Sequence, residues 1–587
     1  MPKMTGGRFI AEFLEKSGVD AVFYVPTILS RPLAEMDNMK IKRVLAHAEK
    51  SAAYMADGYA RASGKPGVCA AQAVGAANLA AGLRDALLGN SPVVALTGGR
   101  KSMEKHKGAY QENDDYPIFE KLTKANFQVD QVERLPDLMR QAFREATTGN
   151  PGPVNLQMAG NNGQIEDDYA ELELIVEDRY TKTPSHRFSP PIEEIKQALR
   201  VIEKAKKPVI ILGGGARISD AGEEAHEFSK KTGIPIATSV AAYNLIPEDY
   251  ELYIGVPGTY SRECTNKILS EADLFIYIGS STGGQVTHFW KIPEVRTKVI
   301  QIGIDPSDLG RNYPNEISLL GDAKTTLQQI LKENLTKLKI DDWREKSTNI
   351  VNEWKAELNK LRDSDSTPIR PERLMKELSE VIPEDSIVAS DTGHTAMWTV
   401  QNLWMNKKWN FIRCAGSLGW GFPAAIGAKC AFPDKNVFCL TGDGADEIFG
   451  GYSCFRNSSK LNLDNKILKN LKEFLLNEKI IDKTSIKNRR LVQLFLPLDK
   501  LLDSLISNCF KEWELIPLLN QKGREIIKSR IKEFNLTDHH FVEDKIKKLF
   551  IKQKLPNQMF YKVDRSSMYF GIESRPPLGE NDILDYA

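Results

Sequence analysis

The run Leu440-Thr441-Gly442-Asp443-Gly444-Ala445-Asp446-Glu447-Ile448-Phe449-Gly450-Gly451-Tyr452 marks the place where this chain changes character. Up to about residue 445 the sequence is rich in Gly and Ala, with short apolar runs set between amphipathic stretches. From about 457 it turns rich in Lys, Asn, Ile and Leu, as in KLNLDNKILKNLKEFLLNEKIIDKTSIKNRR, with a helical period and no clear strands. Composition usually shifts in an exposed polar or Pro/Gly-rich linker. Here it shifts inside a dense glycine–acid motif, so the two sides of that motif need separate fold readings.

Upstream, strand and helix patterns alternate. The apolar spacing predicts helices at 8–16, 51–62 and 75–88 and strands at 21–25, 42–46, 67–71 and 92–96. Apolar strands buried on both faces between helices point to an α/β fold with doubly wound parallel sheets. A polar stretch at 177–191 reads as a linker. A second α/β unit carries strands starting at Pro208, Leu274 and Lys298. A charged helical stretch at 331–363 leads into a third unit, with strands at 386–389 and 436–440 and a helix at 424–430. That unit stops at the Gly442-Asp443-Gly444 turn. The expected domains are 1–165, 191–340, a truncated 366–444, and a mainly helical 445–587. Within the last, 465–478 and 525–533 read as amphipathic helices, so the tail is not expected to complete the third sheet, and the 436–440 strand is left with an open edge or a helical cover.

At 587 residues the chain is long enough for several domains. A formal net charge of +1 argues against a nucleic-acid surface. The seven cysteines are irregularly spaced with no CxxC pair, which suggests neither a zinc site nor a disulfide framework and fits a reducing, cytoplasmic setting. No apolar run reaches membrane-spanning length, and the N-terminal stretch reads as an amphipathic helix rather than a signal peptide.

Glu49, in HAEKSAAYMADGYARASGKPGV, falls where a strand hands over to a helix, a common position for active groups in such sheets. From the residues alone it reads equally as a solvated carboxylate favoured by the helix dipole. Together with AQAVGAANLAAGLRDALLGNSPVVALTGG and GAYQEND, this segment resembles the pyrimidine-binding domain of acetolactate-synthase-like enzymes that use thiamine diphosphate (ThDP). The resemblance implies that Glu49 hydrogen-bonds the aminopyrimidine ring nitrogen of the cofactor and relays its proton. It places Asn78 in the cofactor loop, although Gln72-Ala73-Val74-Gly75-Ala76-Ala77-Asn78 departs from the family's Ser-Gly-Pro-Gly-Ala-Thr-Asn. It also places Gln111, of Tyr110-Gln111-Glu112, near substrate, where a plain surface loop is the competing reading.

Gly213-Gly214-Gly215-Ala216 is a weak dinucleotide signal by itself. The family's central domain binds FAD in some members, another nucleotide in others and nothing in many, and the sequence leaves these open. Asp391-Thr392-Gly393-His394 and Gly416-Ser417-Leu418-Gly419-Trp420-Gly421 resemble the front of the family's diphosphate-binding domain. The resemblance implies that Gly393 and His394 approach the diphosphate and that Leu418 holds the two cofactor rings bent together; a core leucine is the alternative. Asp443, flanked by Gly442 and Gly444, would be the first Mg²⁺ ligand, since Mg²⁺ takes hard oxygen ligands alongside phosphate. The family's second side-chain ligand is usually an Asn about 25–30 residues later at the end of an apolar strand; that region here reads Asn465-Lys-Ile-Leu-Lys-Asn470-Leu-Lys-Glu, helical and charged, without the strand or the Asn-Asn pair.

From Gly442 onward the chain resembles the ATP-pyrophosphatase domain of asparagine synthetase. GDGADEIFGGY carries Asp446 and Glu447, and LPNQMFYKVDRSSMYFGIESRPPL carries Lys562, Asp564 and Arg565. The Ser-Gly-Gly-x-Asp-Ser pyrophosphate loop of that family is nowhere in the sequence, residue 2 is Pro rather than the glutaminase Cys, and the usual Pro-Phe-Leu-Asp reads Pro577-Leu578-Gly579-Glu580. The resulting expectation is ThDP-dependent decarboxylation or carboligation of a 2-keto acid by a homodimer or homotetramer, impaired by the join. The alternatives are an ATP-dependent amidotransferase fragment and an inactive gene-level chimera.

Overall fold

Strand–helix alternation resolves into three parallel sheets. The computed structural model describes residues 2–441, except 27, 368, 406 and 407. The expected helices at 465–478 and 525–533, and every site residue from Gly442 onward, lie outside the described residues.

The first sheet has six parallel strands in the spatial order Lys42–Leu45, Ala21–Tyr24, Gly67–Ala71, Val93–Gly98, Val154–Met158 and Ala125–Val129. Its central strands are buried throughout, which is why they read as continuous apolar runs. Helix Gly6–Lys16 packs on it through Phe9, Ile10, Phe13 and Leu14, and the Thr5 hydroxyl caps the helix by accepting from the Arg8 N–H. A second six-stranded parallel sheet runs Tyr253–Gly255, Ile236–Thr238, Pro208–Leu212, Leu274–Ile278, Lys298–Gly303 and Ile317–Leu320, around its own apolar core. The third sheet has three parallel strands among the described residues, in the order Asn410–Arg413, Ile387–Ser390 and Val437–Leu440. Val437–Leu440 therefore stands at its margin, and its other side faces no described strand. A small antiparallel pair, Lys3–Thr5 with Tyr169–Glu171, ties the N-terminus down.

The first and third units meet along two helices. Helix Glu49–Ser63, ended by Gly64 at φ 72°, packs on helix Gly421–Ala431. A Cβ on Gly58 would run into the Ala424 backbone, and one on Gly427 into the Met55 carbonyl. Only glycine permits this approach, which seals Tyr54, Ala62, Ile412, Trp420 and Ala424 into a shared apolar cluster. The five described cysteines are free. No described helix is long and apolar enough to cross a membrane.

Candidate functional site

In a parallel sheet, ligands bind beyond the carboxyl ends of the strands. Four segments converge at that edge of the first sheet. Glu49 opens its helix just after strand Lys42–Leu45. Its carboxylate accepts from the Asn78 amide at 3.3 Å, and Gly75 presses against its side chain so closely that any Cβ there would clash. The loop entering helix Ala73–Leu88 is pinned by Ala73 N–H to the Asn161 carbonyl, 2.9 Å. Asn161 in turn donates to the Gln111 side chain at 2.9 Å, and Gln111 sits at φ 60°. Glu49, Asn78 and Gln111 thus belong to one connected edge. The helix starts at Glu49, two residues earlier than its apolar spacing predicts, with no side chain capping it.

The second group of residues sits on the third unit. Gly393, at φ 87° with open space where a Cβ would stand, precedes helix His394–Asn402. His394 is exposed on the first turn, its ring 5.7 Å from Trp398. Backbone N–H groups at such a helix start favour an anion. Leu418 is 73% exposed, which removes the core-leucine alternative.

The loop that carries Leu418 is held from both sides by buried carboxylates. Asp85 accepts the N–H groups of Ala415, Gly416 and Ser417 at 2.8, 3.2 and 2.9 Å and pairs with Arg61 at 2.9 Å. Arg61 also pairs with Asp57 at 2.8 Å, and Asp57 accepts from the Trp420 indole at 2.7 Å. Burial opposes ionisation of Asp85, but Arg61 and the loop N–H groups outweigh it and hold its carboxyl below the ordinary range. Asp391 takes the N–H groups of Thr392, Gly419 and Gly421 at 2.8, 3.1 and 3.3 Å. There burial wins over those N–H groups, and its carboxyl is pushed up. The sequence assigns no role to Asp57, Arg61 or Asp85, whose contacts with the third unit bridge more than 300 residues; Asp391, in the motif Asp391-Thr392-Gly393-His394, works over 30 residues or fewer.

No hydrogen bond, ion pair or ring contact among the described residues joins Glu49 or Asn78 to Gly393, His394 or Leu418. The donor chemistry fits ThDP in two pieces: a carboxylate with its amide partner for the aminopyrimidine, and a glycine-led helix start with an exposed Leu for the diphosphate and ring-fold end. For Mg²⁺, Gly442, Asp443 and Gly444 lie outside the described residues, as do Asp446, Glu447, Lys562, Asp564 and Arg565. Among the described residues no group of three His, Cys, Asp or Glu could hold a metal.

Where the central unit meets the other two, a cavity of about 700 Å³ is lined by Arg61, Gly214, Arg217, Gly279, Asp305 and Arg413. The glycine-rich turn beside it is largely spent on packing: Gly213 N–H donates to the Ile278 carbonyl and Gly215 N–H to that of Gly279.

The N-terminal TPP-binding domain of thiamine pyrophosphate enzymes matches residues 4–118, the central domain 195–330 and the C-terminal TPP-binding domain 391–464. The probable acetolactate synthase large subunit of Methanocaldococcus jannaschii is 34% identical over 457 residues, covering 75% of this chain and 76% of that protein. The chain belongs to the acetolactate-synthase-type ThDP enzymes. Two further members of this ThDP family show the same extent: the Methanococcus aeolicus protein at 33% identity (75% of this chain, 76% of that one) and the Corynebacterium glutamicum acetolactate synthase large subunit at 32% (75% and 71%). Asparagine synthase matches 434–587. The two families overlap on 434–464, so acetolactate-synthase-type sequence passes into asparagine-synthase-type sequence across Asp443.

Proposed function

We propose that residues 1–441 are built for ThDP-dependent decarboxylation of a 2-keto acid followed by carboligation, and that the join at Gly442-Asp443-Gly444 leaves this chain with little or none of that activity. The observation that carries the reading is Glu49, held at the carboxyl edge of the first sheet by Asn78 and Gly75. When bound, ThDP supplies the carbon nucleophile and the electron sink for the keto acid. Glu49 holds a proton at the ring nitrogen it faces, and Asn78 keeps its carboxylate oriented. Leu418, on a loop fixed by Asp85 and Asp391, gives an apolar edge against which the cofactor bends. Gly393 and the first N–H groups of helix His394–Asn402 receive the diphosphate. The lack of contact between the Glu49 and Leu418 groups supports a site shared between two copies, hence a dimer or a tetramer. Asp443 would supply one Mg²⁺ ligand; the apolar strand and Asn-Asn pair that carry the second are replaced by the charged 465–473 stretch, and loss of a ligand costs more than the roughly 10–100-fold that loss of a supporting partner typically costs. The central cavity supports a nucleotide without choosing between FAD and another. The match at 434–587 favours a second reading, a fragment of an ATP-dependent amidotransferase, but its pyrophosphate loop is missing from the sequence.

The test is calorimetry and thermal shift of the full chain with ThDP/Mg²⁺ and, separately, with ATP/Mg²⁺. ThDP binding weaker than micromolar, lost in Glu49→Gln, is the expected result. Micromolar ThDP binding removes the impairment, and stabilisation by ATP alone replaces the first reading with the second.

A further inference from the structure

Arg100 follows strand Val93–Gly98 at the same carboxyl edge as Glu49. Only 7% of it is exposed. Its Nη2 donates to the Tyr110 carbonyl at 2.6 Å, while its Nε is buried without a partner. No carboxylate among the described residues lies within 4 Å, and the buried Asp115 acts on it only from farther away, whereas the buried guanidiniums of Arg61 and Arg262 are paired directly with Asp57 and Asp85 and with Glu248. A guanidinium offers five N–H donors in a planar fork. Burying that charge with the Nε–H unsatisfied and no direct counter-ion is unfavourable unless an anion completes it.

The surroundings connect this group to the candidate site. Tyr110, whose carbonyl Arg100 grips, precedes Gln111; Gln111 is bonded to Asn161; and the Asn161 carbonyl holds the start of the loop that presses on Glu49. The side-chain oxygens of Asn161 and Asn162 are also buried without partners. Unsatisfied polar groups therefore gather at one end of the sheet, beside the residue that faces the cofactor ring.

We infer that Arg100 is a carboxylate anchor for the 2-keto acid, a role that rests on the reading of Glu49 above. The fork of a guanidinium matches the two oxygens of a carboxylate. A cation holding a carboxylate that departs as neutral CO₂ favours the ground state over the transition state. Arg100 therefore serves the carboxylate that survives into the product.

The test uses the full chain without ThDP, with ligand-observed NMR titration of pyruvate and of pyruvamide, its uncharged counterpart. The native chain should bind pyruvate at least ~10-fold more tightly than pyruvamide. Arg100→Met should abolish that preference while leaving the weak pyruvamide signal unchanged, and Arg100→Lys should keep part of it. Equal binding of the two ligands by the native chain, no binding of pyruvate, or the same preference in Arg100→Met overturns the inference. A parallel ThDP titration separates the two proposals: pyruvate preference without ThDP binding removes the cofactor reading and leaves Arg100 standing, and ThDP binding without pyruvate preference does the reverse.

Discussion

At the 414–421 loop, Asp85 and Asp391 each accept three backbone N–H groups, and Asp85 adds an ion pair with Arg61. At Glu49 a single amide contact at 3.3 Å is the only hydrogen bond to the carboxylate from the described residues. One half of the candidate site is shaped in advance by buried, satisfied charge; the other keeps its polar groups open. The difference separates side chains whose partners are already in place from one that is left largely open. The first kind should cost stability when removed, and the second should cost binding alone.

Asp85→Ala should show the largest effect. It leaves three loop N–H groups without their acceptor and removes one of Arg61's two carboxylates, and breaking such a buried pair costs about 3 kcal/mol in denaturant unfolding, the low end of the usual range because Asp57 still faces Arg61. A loss under about 1 kcal/mol would show the clamp to be dispensable.

Next comes a pH effect at Glu166, in the short helical turn Gln164–Asp167. Burial pushes the Glu166 carboxyl up to about 7, against the N–H groups of Arg31 and Ser30. A folded pKa above the unfolded value near 4.3 means the native state binds the proton more tightly. The contribution is full below about pH 4 and is lost as pH rises through 7. Stability should fall by roughly 1–3 kcal/mol between pH 5 and pH 8, after allowance for screening. Glu166→Gln should flatten that slope, and an unchanged slope would assign it to another group.

Asp391→Asn should cost less than Asp85→Ala, about 1–2 kcal/mol. Its raised pKa already penalises the ionised form, and an amide oxygen still accepts from the loop. The two carboxylates also titrate with opposite sign: Asp85 contributes stability that is lost only in acid, as pH drops below the ordinary carboxylate range, whereas ionising Asp391 takes stability away as pH rises. A larger loss in Asp391→Asn than in Asp85→Ala would reverse the order. The smallest effect belongs to Leu418→Ala, whose exposed side chain should change unfolding by no more than about 0.5 kcal/mol.

The parts of this architecture that sequence reading captured are those with local causes. Strand 67–71 was recovered residue for residue because an apolar run buried on both faces needs only its own composition. Strands Ala125–Val129 and Asn410–Arg413 escaped it; each carries polar residues, and their place is set by neighbours in the sheet. The contact between Glu49 and Asn78 joins two residues that a motif within a short stretch already names. Arg100 was not legible, since a cation in a polar loop looks solvated until the fold buries it. Leu418 needed its exposure to choose between core and site.

The bond from the Ala415 N–H to Asp85 closes a separation of 330 residues. At synthesis rates of about 5–20 residues per second, Asp85 leaves the ribosome on the order of tens of seconds before the loop that completes it. Throughout that interval the first unit carries a half-satisfied carboxylate and a bare glycine-and-alanine helix face. The wait ends at Ala415, roughly 30 residues before the seam at Asp443 is made.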